Sequence, residues 1–152
     1  SASLVGSEMC IRDRSCHSFS ITGKAENVAD IHREIDRFCQ QNGIPRNKGV
    51  LLAIAFEEAA LNIINHNEHV SMIDICLLLE EGSLIVRIRD DGAPFDPLAF
   101  VDDEDILQMN NIRLLERLTD QKTYTRIMNM NNTVLSIRLE AAENDGANDG
   151  TC

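Results

Sequence analysis

The chain contains 152 residues, of which 43% are hydrophobic and 26% charged, a balance typical of one globular domain with a modest core. Its formal charge of -11, from 14 basic and 25 acidic residues, argues against binding to the phosphate backbone of a nucleic acid. No run of about 18 apolar residues occurs, which excludes a membrane-spanning helix and predicts a cytoplasmic protein.

The two ends of the chain differ in composition from its middle. Residues 1–16 follow neither helical nor strand periodicity, and their stretch SEMCIRDR resembles a translated sequencing-adapter artefact, so we expect a leader outside the domain. Residues 141–152 are polar and acidic and contain glycine, which predicts a disordered tail. The domain is therefore expected to span residues 17–140. The five cysteines are odd in number and lack paired spacing, which indicates reduced thiols.

The predicted elements begin with one strand and two helices. Residues 17–22 form a short strand, and residues 25–41 form an amphipathic helix that Gly43 and Pro45 close. A second helix, from residue 47 to about residue 66, is apolar around most of its surface and should be largely buried.

Two hairpins are predicted after the helices. The predicted segments are, in order, strand 71–79, strand 83–89, loop 91–110, helix 111–119, strand 122–130 and strand 134–139. The second hairpin is predicted to turn across Met130–Thr133. Helices grouped on one face of a mixed, mainly antiparallel sheet predict an α+β two-layer sandwich.

Polar side chains lie along one side of the second helix. At helical spacing Glu58, Asn62, Asn65 and His66 fall on this side, and His69 follows them. A carboxylate and an amide on a buried helix must face either other polar groups or a ligand in a cleft. On the helix alone, a buried polar pair that stabilises packing is the more common explanation.

The end of the fifth predicted element and the start of the following loop carry a motif of their own, RDDGAPFDP, at residues 89–97. A long loop in a compact domain is usually functional. An acid at the end of a strand, followed by glycine two residues later, lets Asp90 point into a cleft while the backbone at Gly92 approaches a ligand closely. Alone this pattern is equally consistent with a plain turn. Together with Glu58 and Asn62 it indicates a ligand site.

In these two motifs the chain resembles the GHKL (Bergerat-fold) ATPases, and among them the anti-sigma-factor serine kinases. The segment AFEEAALNIINH, residues 55–66, is similar to the N box of that family. RDDGAPFDP is similar to its first glycine box, with the Pro-Phe-Asp-Pro ending typical of the anti-sigma branch. The resemblance implies a Bergerat-fold domain that binds ATP and Mg²⁺. It also implies a protein partner, an anti-sigma antagonist or a sigma-like factor, that is controlled by phosphorylation and partner switching.

The resemblance assigns roles to single residues. Asn62 would bind Mg²⁺ through its amide oxygen, and Glu58 would act as the general base. Asp90 would accept a hydrogen bond from the adenine amino group, and Gly92 would admit the ring. Thr133, expected at the start of the last strand, would lie beside Asp90.

Three further nucleotide-binding residues are expected, namely His66, Asn111 and Arg113. His66 completes the polar stripe without a chemical role of its own. Asn111 belongs to residues 108–111, QMNN, which align with the second glycine box of the family but contain no glycine. Glycines there would let backbone N–H groups wrap the phosphates, and Asn111 imitates that only in part. Arg113 would offset the negative charge of the phosphates, whereas the acid run at residues 102–105 would repel the phosphates.

These departures motivate an alternative function. The chain would then be a protein-interaction module that has kept the fold and lost nucleotide turnover, so the sequence leaves catalysis open. The ATPase half of a sensor histidine kinase is a third option, less favoured because no phosphoacceptor helix precedes the domain. A metal site at His66 and His69 lacks a third ligand. The sequence also leaves open a homodimer and a longer parent chain.

Overall fold

A five-stranded sheet organises the domain in the computed structural model, which describes residues 15–99 and 113–139. Its order is β1-β2-β3-β5-β4, and every neighbouring pair of these strands is antiparallel. The predicted two-layer α+β class is confirmed, although the sheet is antiparallel throughout rather than mixed. The strands are β1 Ser15–Thr22, β2 Met72–Glu80, β3 Ser83–Asp90, β4 Thr119–Ile127 and β5 Met130–Arg138.

Two long helices supply the second layer. A 3-10 turn, Ala25–Asn27, precedes α1, Ala29–Gln41, and α2 spans Arg46–Asn65. Residues 113–118 are also helical. Small side chains of α2, such as Ala53 and Ala59, are fully buried beside larger ones such as Phe56. Full burial of one such large apolar side chain contributes about 1.5–3 kcal/mol, so α2 is held mainly by its packing.

Alternation along the strands separates the core from the outer face of the sheet. In β3 the residues Leu84, Val86 and Ile88 are buried in the same cluster as the helix side chains, while the intervening Arg87 and Arg89 are partly exposed. Successive strand residues point to opposite faces. Asp90 continues the buried set, so β3 delivers a carboxylate to the helix-facing side at the end of the core.

The start of the first strand and the state of one cysteine differ from expectation. β1 begins at Ser15, two residues before the predicted boundary. Cys16 in β1 is disulfide-bonded, against the prediction of reduced thiols. Cys39 and Cys76 are free and buried, and burial, together with the charge of Asp36, raises the pKa of the Cys39 thiol to about 11. Cys39 is therefore protonated and unreactive at neutral pH.

The second hairpin turns earlier than predicted. Ile127 and Met130 are paired, and the two residues between them, Met128 and Asn129, have φ of 52° and 63°. Positive φ at both central residues is the pattern of a type I′ turn, whose twist matches that of the flanking strands. The prediction placed the turn across Met130–Thr133, following the turn preference of Asn131, whereas these four residues are the first residues of β5.

Several predicted features lie outside the described residues. They are most of the leader, the tail 141–152, the acid run 102–105, the glycine-box segment 108–111 with Asn111, and most of the loop 91–110. In the described ranges no helix is long and apolar enough to cross a membrane.

Met128→Gly is expected to stabilise the domain, by about 0.5–1 kcal/mol, because a residue with a Cβ is strained at positive φ and glycine is not. Chemical denaturation of both proteins measures the difference in free energy of unfolding. Met130→Gly is the matched control, since Met130 lies in β5 without positive φ and its loss should destabilise. Stabilisation by both variants would contradict the turn assignment.

Candidate functional site

The C-terminal end of β3 and the N-terminal end of β5 meet at a buried polar pair. Asp90 and Asn131 are Cα partners in the sheet, and each is 1% exposed. The Asn131 side-chain amide donates to Asp90 Oδ1 at 2.9 Å, and the Gly92 N–H donates to the same oxygen at 3.0 Å. Neither bond uses Oδ2. The carboxylate is thus fixed through one oxygen, and the other has no hydrogen bond to the described residues.

Burial raises the pKa of Asp90 above its usual value. The hydrogen bonds from Asn131 and Gly92 act against this shift without cancelling it. Among nearby charges, Asp91 raises the pKa further and Arg126 lowers it. A buried carboxylate with a raised pKa next to a loop is a frequent feature of functional sites.

Asn131 connects this carboxylate to the loop that follows it. Its Nδ2 also donates to the carbonyl oxygen of Ala93 at 2.8 Å. Its Oδ1 accepts from the Phe95 N–H at 3.2 Å and from Arg126 at 3.0 Å. The Tyr124 hydroxyl donates to the same oxygen. All the polar atoms of Asn131 are therefore engaged, and β3, β4, β5 and the loop are joined through one side chain.

The C-terminal end of α2 is docked on the same loop. Asn67, which is 5% exposed, accepts from the Ala93 N–H at 2.9 Å and donates to the Ala93 carbonyl at 3.0 Å. One turn from Asn62, the His66 ring stacks on Phe95 with centroids 5.6 Å apart. The two motifs singled out in the sequence, on α2 and after β3, thus meet in the fold.

Gly92 is required by this packing. A Cβ at position 92 would lie 2.1 Å from Asn67 Nδ2 and 2.6 Å from Val70 Cγ2, so any side chain would displace the contact between the loop and α2. The sequence predicted that Gly92 admits an adenine ring. The structure gives the glycine another cause, the approach of Asn67, and admission of a ring stays a prediction.

Asn62 and Glu58 of α2 lie one and two turns before His66. Asn62 is 6% exposed, and its side-chain amide has no hydrogen bond to the described residues. In that part of the chain no fully enclosed polar side-chain atom lacks a partner, so the polar end of Asn62 reaches the surface. Such an amide oxygen is a suitable ligand for a hard cation such as Mg²⁺.

The two adjacent glutamates of α2 are in different situations. Glu57 pairs with His32 of α1, with 2.9 Å between Oε1 and Nδ1. Glu58 is partly buried and makes no hydrogen bond or ion pair with residues 15–99 or 113–139. Of the two carboxylates, Glu58 is thus the one available to accept a proton from another molecule.

A comparison with protein-family models matches residues 21–139 to the histidine kinase-like ATPase domain. The chain belongs to this family. A solved structure with a similar fold is the histidine kinase domain from Erythrobacter litoralis EL346 blue-light activated histidine kinase, at a TM-score of 0.50 and 17% identity. The match covers 79% of this chain and 62% of the other. No curated protein matches the chain.

One predicted residue of this histidine kinase-like ATPase domain, Thr133, has a different strand partner from the one expected. Thr133 is buried on the same side of β5 as Asn131, but it is the fourth residue of the strand and pairs with Ile88. The direct neighbour of Asp90 is therefore Asn131, because the strand starts three residues earlier than its expected start at Thr133. Arg113 is exposed at the edge of the described residues.

Sequence reasoning missed Asn67, Tyr124, Arg126 and Asn131. A signal for Asn131 was present, since Asn131, Thr133, Leu135 and Ile137 alternate as an inward-facing strand set once the turn is placed at Met128–Asn129. No comparable signal existed for Asn67, because its role depends on how the chain returns after α2. Within the described ranges no three His, Cys, Asp or Glu residues are grouped so that they could hold a metal ion.

Asp90→Asn is expected to raise the free energy of unfolding at neutral pH. Burial penalises the ionised carboxylate, and the asparagine oxygen can still accept from Gly92 and Asn131. Because the folded pKa of Asp90 is raised, its ionisation destabilises the fold progressively as pH rises from 3.8 through that pKa. Chemical denaturation between about pH 4 and 8 should show this decline in the wild type and not in the variant.

Asp91→Asn is the matched control and should change stability in the opposite direction. Burial alone would raise the Asp91 pKa, but hydrogen bonds from the Ser71 hydroxyl and from the Ser71 and Met72 N–H groups lower it. A lowered pKa contributes stability above 3.8 that is lost as pH falls through the folded value. Equal effects of the two variants at neutral pH would contradict this assignment of the charges.

Proposed function

We propose that this domain binds ATP with Mg²⁺ and acts as a regulatory protein kinase of the anti-sigma serine kinase type. It would transfer a phosphoryl group to a serine of an anti-sigma antagonist and so control which partner is bound. The observation that carries the proposal is the buried Asp90 carboxylate, which is anchored through Oδ1 and leaves Oδ2 for a ligand. An exocyclic amino group is the complementary donor.

Two residues of α2 extend the proposed site from the base toward the phosphates. Asn62 would hold Mg²⁺, whose charge, when it is bound, neutralises phosphate oxygens. Glu58 would accept the proton of the serine hydroxyl as the serine oxygen attacks the γ-phosphorus and ADP leaves. The pairing of Glu57 with His32, which leaves Glu58 without an ion pair in the described chain, supports this choice of base.

A second candidate is a module that binds its partner without turning over nucleotide. It is favoured by the absence of glycine from residues 108–111, where backbone N–H groups would be needed around the phosphates. The two candidates differ in what they require of Asn62 and Glu58, since the module gives these residues no ligand. Phosphoryl-transfer activity therefore separates them.

Nucleotide binding is tested by thermal shift with ADP and Mg²⁺. ADP at about 100 times its dissociation constant should stabilise the wild type by roughly 2.7 kcal/mol, and Asp90→Asn should abolish the shift while the variant stays folded. Asn62→Ala should remove only the part that depends on Mg²⁺. Asn65→Ala, an exposed asparagine of the same helix, is the control and should leave the shift unchanged. No shift of the wild type at millimolar ADP would refute the proposal.

Catalysis is tested with the neighbouring glutamates. Glu58→Gln should reduce ADP release from ATP by about 10²–10⁴-fold while ADP affinity is retained, because only the proton acceptor is lost. Glu57→Gln should retain turnover, since Glu57 is engaged with His32. Wild-type protein that binds ADP without turnover, alone and with an antagonist protein as substrate, would favour the binding module.

A further inference from the structure

The two oxygens of Asp90 are not equivalent. A carboxylate offers about four lone-pair positions, two on each oxygen. Oδ1 already accepts two hydrogen bonds, from Gly92 at 3.0 Å and from Asn131 at 2.9 Å. Oδ2 accepts none from the described residues. A ligand that approaches Asp90 therefore meets one available acceptor oxygen.

The Asn131 amide cannot easily break its hydrogen bond to Asp90 Oδ1. Its own Oδ1 receives N–H or O–H donors from Phe95, Tyr124 and Arg126, so this atom must be the oxygen of the amide. Its Nδ2 then faces two acceptors, the Asp90 carboxylate and the Ala93 carbonyl. Rotation of the amide would place oxygen against oxygen on one side and donors against N–H on the other. The donor toward Asp90 is thus fixed by contacts on both sides.

Purine bases differ in what they offer to such a carboxylate. Adenine presents one amino group, which can bond to a single oxygen. Guanine presents two adjacent donors, its ring N–H and its amino group, which fit both oxygens of a free carboxylate as a bidentate pair. With Oδ1 filled, one guanine donor would be buried without an acceptor. An unmade hydrogen bond of this kind lowers affinity by roughly tenfold to a hundredfold.

We propose that Asn131 is the specificity-determining residue of the candidate nucleotide site, which it makes selective for adenine over guanine by occupying Asp90 Oδ1. This inference rests on the proposed function, because it assumes that Asp90 faces a purine. Asn131 acts through Asp90 and is a positioning residue. Arg126 supports it from β4, since the same guanidinium nitrogen donates to Asn131 and to the Gly92 carbonyl, each at 3.0 Å.

The test compares ADP and GDP, each with Mg²⁺, by isothermal titration calorimetry. Wild-type protein should bind ADP more tightly than GDP by at least about tenfold. Asn131→Ala should reduce this ratio by about tenfold or more, mainly through tighter GDP binding, because Oδ1 loses one of its two donors and can then accept a guanine donor. Asn132→Ala is the control, since Asn132 points to the opposite face and contacts Thr125 at 3.4 Å. An unchanged ratio in Asn131→Ala overturns the proposal.

Asn131→Asp is a second variant that keeps the shape of the side chain and its bonds from Phe95, Tyr124 and Arg126. It removes the donor toward Asp90 until one of the two carboxyl groups is protonated. ADP affinity should therefore be weak above neutral pH and recover as pH falls. Asp91 and Arg126, the other charged groups that act on Asp90, are unchanged in this variant and in its control, Asn132→Asp, which should show no such recovery. The same pH profile for both variants overturns the proposal.

Titration of Asp90 in nucleotide-free protein separates this inference from the proposed function. The carboxyl signal of Asp90, followed by nuclear magnetic resonance, should titrate at higher pH in Asn131→Ala, since a hydrogen bond that lowers its pKa is lost. An unchanged titration shows that Asn131 does not hold the carboxylate and overturns the inference even if ADP binds. If the titration shifts but wild-type protein binds neither nucleotide, the positioning by Asn131 stands, whereas the selectivity fails together with the proposed function.

Discussion

The hydrogen bond between Asn131 and Asp90 joins the parts of the domain on which the candidate site depends. It closes the end of the β3–β5 ladder with a polar pair, whereas Leu84–Ile137 and Val86–Leu135 are aliphatic pairs on the same face. It also fixes the first residues of the loop, because the same amide bonds to Ala93 and Phe95. A buried carboxylate is unfavourable without such partners, so the site and its scaffold form one hydrogen-bonded unit.

Side-chain hydrogen bonds of Asn67, which lies just after α2, hold the same loop from the helical side. Asn67 pairs with both backbone polar groups of Ala93, as a neighbouring strand would, and this pairing leaves no room for a side chain at Gly92. The end of α2 is thereby set against the end of β3. Asn62 and Glu58 lie on the same helix, so this contact, together with the packing of α2, sets their positions relative to Asp90.

How far the sequence predicts this site depends on the kind of signal each residue gives. Periodicity located α2 to within a residue at each end, and a strand end followed by glycine located Asp90 and Gly92. Turn preference failed at Asn131, because two left-handed residues, Met128 and Asn129, form the turn while the following asparagines continue the strand. The partners of Ala93 could not be predicted, since Asn67 contacts it across 26 positions of the chain.

Two local features of the domain are unfavourable, and a single ligand would relieve both. Burial disfavours the ionised form of Asp90 and raises its pKa, and the nearly buried Asn62 amide has no hydrogen bond to the described residues. A donor group placed at Asp90 Oδ2 and a cation placed at the Asn62 oxygen would relieve both. A magnesium-bound adenine nucleotide carries these two groups at its opposite ends. The stability that the domain gains from such a ligand would thus arise at Asp90 and Asn62.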